Sequence, residues 1–424
     1  MAGAPGGTPA YTTETMAYNT NGQMVSQNWS TPSSSLGTTG GLQYSYSATQ
    51  NNGQITQTTD TLSGETIGYQ YDALKRLTSA ASTPISGSTP TAWTQNFQYD
   101  GFGSLTAKVL NGTSMPIAVN ALTNQLSNAN YDLNGNMTSG VGATLTYDSS
   151  NRMLSAAEVS GGTEYYGYSP DNKRMYRLTA SGTEEWTFYG GYGEKLGVFQ
   201  YSTSAGLYPV RSNVQFAGRT IIDDNFPVFQ DRVGTNRANG ARFMPYGDEI
   251  TSTSSDREKF ATYTRDSYTG LDYADQRFYA STYGRFNTPD PKGRRAARKR
   301  NPQSWNLYSY VHGDPINRND PRGLCSVSPD GNTFVSSDLY GDTLGYLALE
   351  NYGYDYEYDG DCYDNISIDV TVDGLSEDVS IGDLTYASQV IGQVAQDNPG
   401  GFLDAFKDSS EEIVGDLGLG QLRK

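Results

Sequence analysis

Four charged residues near the middle of the sequence have the types and spacing that acid–base chemistry requires. Asp290 and Asp320 each precede a proline, and Arg285 and Arg318 lie a few residues upstream of them. Two carboxyl groups at contact distance cannot both be charged, so one can act as an acid and the other as a base that activates water against a peptide bond. The arginines could hold this pair or polarise a carbonyl group. From spacing alone, the simpler interpretation is that each Asp-Pro forms a turn with an arginine as its salt-bridge partner.

The elements that would position these residues are predicted to be short β-strands. The 424 residues include 33 Tyr, 48 Gly and 17 Pro, which favours strands joined by tight turns over long helices. No segment has the run of about 18 apolar residues that a membrane span needs. The opening residues lack the basic-then-apolar order of a secretory signal. We therefore expect a mainly β protein without a membrane span, and one that is part of a longer chain.

A repeated motif organises residues 15–190. A tyrosine is followed by Asp, by a turn containing Gly, Asn or charged residues, and by an apolar residue that restarts a strand, which is the order of a β-hairpin. We expect the Asp side chains to bind turn amides and the Tyr rings to form a continuous buried seam. Five copies begin at Tyr71, Tyr99, Tyr131, Tyr147 and Tyr168, and a degenerate copy begins at Tyr18.

A change of composition predicts a domain boundary at Leu324. Residues 1–324 carry 26 acidic and 26 basic side chains, whereas residues 325–424 carry 20 acidic and 3 basic ones. An acidic segment repels phosphate groups, so we do not expect it to bind nucleic acid. Both cysteines, Cys325 and Cys362, lie behind this boundary. They could form a disulfide in an oxidising compartment or remain as two small buried side chains.

The repeats and the segment behind them resemble the RHS/YD-repeat family of bacterial proteins. The repeats match the Tyr-Asp motif, and the segment resembles the family's repeat-associated core. This resemblance implies that the repeats form a hollow shell, that the core plugs its end, and that the chain is cut just after the final Asp-Pro-Arg-Gly-Leu motif. The piece behind the cut would stay inside as cargo, often a toxin with a cognate immunity protein. The core matches are Tyr268–Tyr279, Tyr283–Pro291, Trp305–Val311 and Gly313–Leu324.

The resemblance favours the catalytic interpretation of the four charged residues over the turn interpretation. Asp290 and Asp320, with Arg285 and Arg318, would then form an aspartyl-type autoprotease that acts on its own chain. Its cleavage site would be the bond between Leu324 and Cys325, at the charge boundary. The predicted segments are a YD-repeat shell (1–190), a β-rich continuation (191–259), a self-cleaving core plug (260–324) and a small acidic α+β domain (325–424).

The basic run 292–300 and the single histidine each lead to a further prediction. Six of the nine residues in 292–300 are basic, and we expect an exposed loop that pairs with the acidic segment rather than with nucleic acid. His312 is the sole histidine, so we interpret it as a turn residue, and histidine-dependent nucleases, proteases and deaminases are excluded as cargo.

Four acidic residues surround Gly360 and make a weak match to a calcium-binding loop. Their oxygen ligands alternate as that loop requires, but Ile366 stands where a bidentate Glu normally closes the site. The alternative is a solvated acidic hairpin, and no other cofactor is predicted. The four residues are Asp355, Glu357, Asp359 and Asp361.

Two classes of function agree with these patterns. The first is a self-processing shell that delivers a toxin-like cargo. The second is a structural or adhesive surface protein that does not cut itself and whose aromatic repeats bind glycans or cell-surface proteins. Both place the protein in a secreted or cell-surface location of a bacterium. Six recognisable repeats are few for a closed shell, which favours the second class or a shortened form of the first.

Overall fold

The fold is built from antiparallel hairpins, as the composition predicts. The computed structural model describes residues 13–30, 39–158, 161–190, 193–216, 219–224, 226–254, 256–291, 293, 301–324, 367–372 and 375–380. In these ranges every strand pairs only with the strands next to it in sequence. The prediction of a mainly β protein is therefore confirmed.

The first sheet has nine strands in sequence order. They are β1 (Thr13–Tyr18), β2 (Met24–Ser30), β3 (Gly40–Tyr46), β4 (Ile55–Asp60), β5 (Glu65–Tyr71), β6 (Leu77–Pro84), β7 (Thr94–Tyr99), β8 (Leu105–Leu110) and β9 (Thr113–Pro116).

The second sheet has eleven strands, again in sequence order. They are β10 (Asn130–Tyr131), β11 (Met137–Ser139), β12 (Ala143–Tyr147), β13 (Met153–Glu158), β14 (Thr163–Tyr168), β15 (Arg174–Leu178), β16 (Glu184–Tyr189), β17 (Lys195–Ser202), β18 (Gly206–Phe216), β19 (Arg219–Asp223) and β20 (Phe226–Pro227).

A small four-stranded sheet forms the centre of the segment that resembles the core. Its strands are β21 (Thr264–Arg265), β22 (Asp272–Ala274), β23 (Arg277–Ala280) and β24 (Arg285–Phe286). Short 3-10 turns cover Ala238–Gly240, Ser281–Tyr283, Pro302–Trp305 and Val311–Gly313.

The chain divides into two compact units, residues 1–335 and 336–424. In the second unit the described residues form one hairpin of β25 (Ser367–Val372) and β26 (Leu375–Ser380). The strict alternation of apolar and polar residues over Ile366–Val372 predicts a strand, and β25 covers Ser367–Val372. The helical part of the predicted α+β domain lies outside the described residues, and the four predicted segment boundaries stay predictions.

The aspartate binds the backbone of its own turn in four of the five repeats, as expected, and in the Tyr168 copy the Ser169 hydroxyl accepts the Lys173 amide instead. Oδ1 of Asp72 accepts the amides of Leu74 and Arg76 at 2.9 and 3.0 Å. The same oxygen of Asp148 accepts the amides two and four residues further on, both at 2.9 Å. These bonds satisfy amides that the turn removes from the sheet ladder, so the repeat aspartates are structural.

Most of the repeat tyrosines join neighbouring hairpins through their hydroxyl groups, whereas the Tyr131 hydroxyl accepts the Leu126 amide at 3.0 Å. A β-bulge lies at each of them, for example between Gln70 and Tyr71, and it turns the ring away from the regular strand direction. The Tyr71 hydroxyl then donates to the Ile55 carbonyl at 2.8 Å. The same bond to the preceding hairpin is made by Tyr46, Tyr99, Tyr147, Tyr168 and Tyr189. The predicted seam is therefore a ladder of hydroxyl-to-carbonyl bonds.

The buried faces of both large sheets pack against residues from the second half of the first unit. Leu77, Phe97 and Met137 from the strands share one apolar cluster with Tyr279 and Tyr310. The last two rings lie 4.7 Å apart between centroids, and both are fully buried. Aromatic pairs at this spacing add to the stabilisation from burial alone.

Ion pairs with at least one buried partner join the two large sheets to the segment that follows β20. This segment, residues 228–324, is called the central segment. Arg242 binds both oxygens of Glu65 at 2.9 and 2.7 Å. Lys108 binds Asp248 at 2.6 Å. Arg174 binds Asp266 through two nitrogens at 2.7 and 2.8 Å. Each pair joins a strand of a large sheet to the segment that follows β20, so these pairs specify how the two parts meet.

We expect Arg174→Met to lower the free energy of unfolding by roughly 3–5 kcal/mol, because the variant leaves the fully buried Asp266 carboxylate without its partner. Urea unfolding followed by tryptophan fluorescence measures the change. The matched control is Arg152→Met, which breaks the more exposed Arg152–Asp148 pair and should cost about 1 kcal/mol or less. Equal losses in both variants would contradict the assigned role of the Arg174–Asp266 pair.

Candidate functional site

The predicted cleavage motif ends in a turn built like those of the repeats. Oδ1 of Asp320 accepts the amide of Leu324 at 2.8 Å, four residues further on. The amide of Gly323 donates to the Asp320 carbonyl at 3.2 Å. Gly323 has a φ of 66°, in the left-handed region that favours glycine. Asp320 is thus a turn residue, as the simpler interpretation held, and any catalytic role would be additional.

The Asp320 turn differs from the repeat turns in its burial and in its arginine. Asp320 is 3% exposed and Arg277 is 4% exposed. Nη2 of Arg277 donates to Oδ2 of Asp320 at 3.1 Å. The guanidinium group also lies over the Phe286 ring, 3.6 Å from its centroid. A charged pair in this setting has lost most of its water and depends on its protein partners.

Arg277 binds the main chain on either side of the carboxylate as well. Its Nε donates to the Gly323 carbonyl, and its Nη1 donates to the Leu307 carbonyl at 3.3 Å. The carbonyl that Arg277 holds therefore belongs to Gly323, one residue before the predicted scissile carbonyl of Leu324. Sequence analysis assigned no role to Arg277. The available signal in the sequence was a basic residue directly before the run Phe278–Ala280. The structure shows that all four residues of β23 are buried.

Other residues bind the remaining carbonyl groups of the turn. The Tyr263 hydroxyl donates to the Asp320 carbonyl, and the Gln276 amide donates to the Arg322 carbonyl at 3.1 Å. The segment from Asp320 to Leu324 is thereby held along its length by Tyr263, directly before β21, by β23 and by the turn before β23. This arrangement fixes the position at which the chain leaves the central segment.

Asp290 lies near the same network but is less buried. Its amide donates to the Leu307 carbonyl at 2.8 Å, and its own carbonyl accepts the Gly293 amide at 2.8 Å. The Leu307 oxygen thus receives bonds from Asp290 and from Arg277. The structure connects Asp290 to Asp320 through Leu307 and Arg277, and the acid–base roles of the two carboxyl groups stay a prediction.

The two arginines predicted to assist have contacts elsewhere. Nη1 of Arg285 donates to the Asn124 carbonyl at 2.8 Å, and its guanidinium group lies 5.6 Å from the centroid of the Tyr308 ring. Burial lowers the pKa of Arg285, although Tyr131 opposes the shift. These contacts attach β24 to the connection before the second sheet. The backbone of Arg318 bonds to Asp314, and its charge acts on that carboxyl group.

The other predicted residues divide into two groups. His312 lies in the 3-10 turn Val311–Gly313 with a φ of 53°, which agrees with its interpretation as a turn residue. Leu324 is the last described residue of the motif. The remaining predicted residues lie outside the described ones, namely Cys325, the basic residues of 292–300 and the calcium candidates Asp355, Glu357, Asp359 and Asp361.

The hairpin repeats and the central segment define a class of protein, an antiparallel β shell assembled from short repeats. A sequence profile of the RHS repeat matches residues 51–84. The chain is 25% identical over 255 residues to the tRNA3(Ser)-specific nuclease WapA of Bacillus spizizenii, a match that covers 54% of this chain and 11% of the nuclease.

Solved toxin structures share the fold. The Tc holotoxin pore of Photorhabdus luminescens is 18% identical with a TM-score of 0.55, and the match covers 74% of this chain and 18% of that one. The complex of TcdB2, TccC3 and Cdc42 is 20% identical with a TM-score of 0.57 over the same shares. The similarities to the RHS repeat profile, to the nuclease and to the solved structures together support an RHS/YD-repeat protein. None of the helices in its described ranges is long and apolar enough to cross a membrane.

Asp314 makes the stability of the central segment depend on pH. Burial raises its pKa to about 6, although a hydrogen bond from Asn317 and the charge of Arg318 oppose the shift. An aspartate in an unfolded chain has a pKa of about 4, so the folded state retains a proton that the unfolded state has lost. This contribution to stability is fully present below about pH 4 and is lost as the pH rises through about 6.

Asp314→Asn removes the titrating group, so we expect the variant to gain stability relative to the unmodified protein between pH 4 and pH 7, by up to about 3 kcal/mol. Urea unfolding at several pH values measures the difference. Asp148→Asn is the control: burial is outweighed there by bonds from Arg152 and Ser150, which lower the pKa of Asp148. The free energy of unfolding of Asp148→Asn should differ from that of the unmodified protein by a constant amount above pH 4. A constant difference for Asp314→Asn over the same range would show the prediction to be wrong.

Proposed function

We propose that this chain is a self-processing RHS-type shell that encloses a C-terminal cargo and cuts its own backbone after Leu324. The observation that supports this proposal most directly is the set of buried contacts that hold the turn Asp320–Leu324. The repeat turns at Asp72 and Asp148 pair the aspartate with an arginine of the same turn, whereas this turn binds a buried arginine from β23, a tyrosine hydroxyl and the Gln276 amide. Its position matches the charge boundary of the sequence.

The cleavage would be a hydrolysis that uses two carboxyl groups. Water attacks the Leu324 carbonyl carbon, one carboxylate accepts a proton from that water, and a protonated carboxyl group donates a proton to the amide nitrogen of Cys325. The carbon–nitrogen bond breaks and leaves a carboxylate on Leu324 and an amino group on Cys325. Asp320 fits the base, because its ion pair with Arg277 favours the charged form, and Asp290 is the second carboxyl group of the predicted pair.

A delivery role has consequences for partners and location. The relatives include a tRNA-specific nuclease and parts of a holotoxin, and the chain spans about a tenth to a fifth of their lengths. By analogy, residues 325–424 would be the cargo, a toxic cargo would require a cognate immunity protein, and the protein would act outside the cell or at its surface. Cleavage as written needs no cofactor, and calcium binding at residues 355–361 stays a separate proposal.

We expect the purified chain to show two masses under denaturing conditions, one for residues 1–324 and one for residues 325–424. Asp320→Asn should remain uncut, because the amide keeps the Oδ1 acceptor for Leu324 but cannot accept a proton from water. Asp148→Asn is the matched control, since it makes the same change in a repeat turn, and it should be cut normally. Intact-mass spectrometry of all three proteins measures the outcome.

A single full-length mass in the unmodified protein would remove the autocleavage proposal. If the protein is cut, native size-exclusion chromatography tests enclosure of the cargo. The two pieces should elute together and separate only after denaturation. Separate elution under native conditions would leave autocleavage in place but contradict enclosure.

The alternative function is adhesion by a protein that no longer cuts itself. One observation favours it: aromatic residues on β14, β16 and β17 are exposed, with Tyr165 at 51%, Trp186 at 37% and Tyr201 at 55%. Exposed aromatic rings suit the apolar faces of sugars. Retention on immobilised glycans that is lost in Trp186→Ala, but kept when the exposed Leu133 is changed to Ala, would support adhesion. No retention by the unmodified protein would count against it.

A further inference from the structure

Arg277 binds two other segments of the chain, the turn Asp320–Leu324 and the backbone at Leu307, through the three nitrogens of its guanidinium group. Nη2 binds the Asp320 carboxylate, Nε binds the Gly323 carbonyl and Nη1 binds the Leu307 carbonyl. We propose that Arg277 is the positioning residue of the cleavage, which holds Asp320 and the backbone before Leu324 in one fixed relation. This inference rests on the proposed function, because it gives that reaction its geometry.

The contacts of Arg277 require the planar fork of an arginine. Its donors point in fixed directions and reach a carboxylate and two carbonyl groups at once, and its flat face lies on the Phe286 ring. A lysine would keep the charge but would lose both the fork and the stacking. Arg277 binds the Gly323 carbonyl rather than that of Leu324, so it orients the chain and does not contact the predicted reacting carbonyl group.

Gly323 provides the space that this arrangement needs. A Cβ atom at this position would lie 2.9 Å from the Ala274 carbonyl oxygen and 3.2 Å from the Cβ of Arg277. The φ of 66° also disfavours any other residue. A larger residue would therefore push the turn away from Arg277. Gly323 thus offers a second, independent way to disturb the same contact.

The repeat turns show what an arginine does when it only supports a turn. Arg152 binds Asp148 from within the same turn, at 2.7 Å, and both side chains are partly exposed. Arg277, in contrast, reaches Asp320 from β23, 43 positions earlier in the chain. The repeat pair therefore provides a control in which an arginine–aspartate bond is lost without any change near Leu324.

The test is a time course of cleavage for the full chain made by cell-free synthesis, followed by intact mass. We expect Arg277→Lys and Gly323→Ala to slow cleavage by roughly 100-fold, the scale of a misplacement of about 1 Å in a reacting group. Arg152→Lys should cut at the normal rate. In Arg277→Ala, added guanidinium chloride at a non-denaturing concentration should restore part of the rate, whereas an equal concentration of sodium chloride should not.

The outcomes separate this inference from the proposed function. If the unmodified chain stays whole, the proposed autocleavage is wrong and the inference is wrong with it. If the unmodified chain is cut and Arg277→Lys and Gly323→Ala are cut at the same rate, the inference alone is overturned. Circular dichroism shows which variants fold. If Arg277→Ala does not fold, the rates of the two milder variants decide, and a slow rate in both folded variants supports the inference.

Discussion

The bond between an aspartate side chain and the amides of its own turn is the interaction on which the rest of this structure depends. It closes the hairpins at Asp72 and Asp148, and it returns at Asp231, whose Oδ1 accepts the amides of Val233 and Thr235 at 3.0 and 2.9 Å. It also forms the final turn at Asp320. Each such bond replaces an amide–water contact that would otherwise oppose folding of a short strand pair. Because the aspartate-closed turns are regular, they place the tyrosines where their hydroxyl groups reach the preceding hairpin.

Charge, rather than apolar contact alone, determines how the central segment meets the sheets. Buried ion pairs contribute little net stability compared with apolar side chains of similar size, because both partners lose water. Loss of one partner is nevertheless costly, so the pairs disfavour any other arrangement of the same segments. Arg174–Asp266 and Arg242–Glu65 act in this way at two places far apart in the sequence.

Sequence analysis found the hairpins because Tyr-Asp turns follow a local rule, and local rules can be seen in one sequence. It missed the repeat-like bulges at Tyr46 and Tyr189, since neither tyrosine is followed by an aspartate. It also missed Asp231, where glutamine stands in place of the tyrosine. Arg277 was missed for a different reason. Its partners are Leu307, Asp320 and Gly323, and no local pattern reveals contacts over 30 to 46 positions.

The final turn shows how a structural motif can be adapted to a chemical one without a new fold. A repeat turn already provides an aspartate, a residue with a left-handed φ, which is glycine in some copies, and a defined direction of the following strand. Burial of that turn against β23 changes the surroundings of the carboxylate from water to a guanidinium group and an aromatic face. The same side chain then combines a backbone bond with an ion pair in a largely buried site, where electrostatic effects on a reaction are stronger than in open solvent. Under the proposed function, the step from a closing turn to a cutting site is therefore a change in burial and in one arginine.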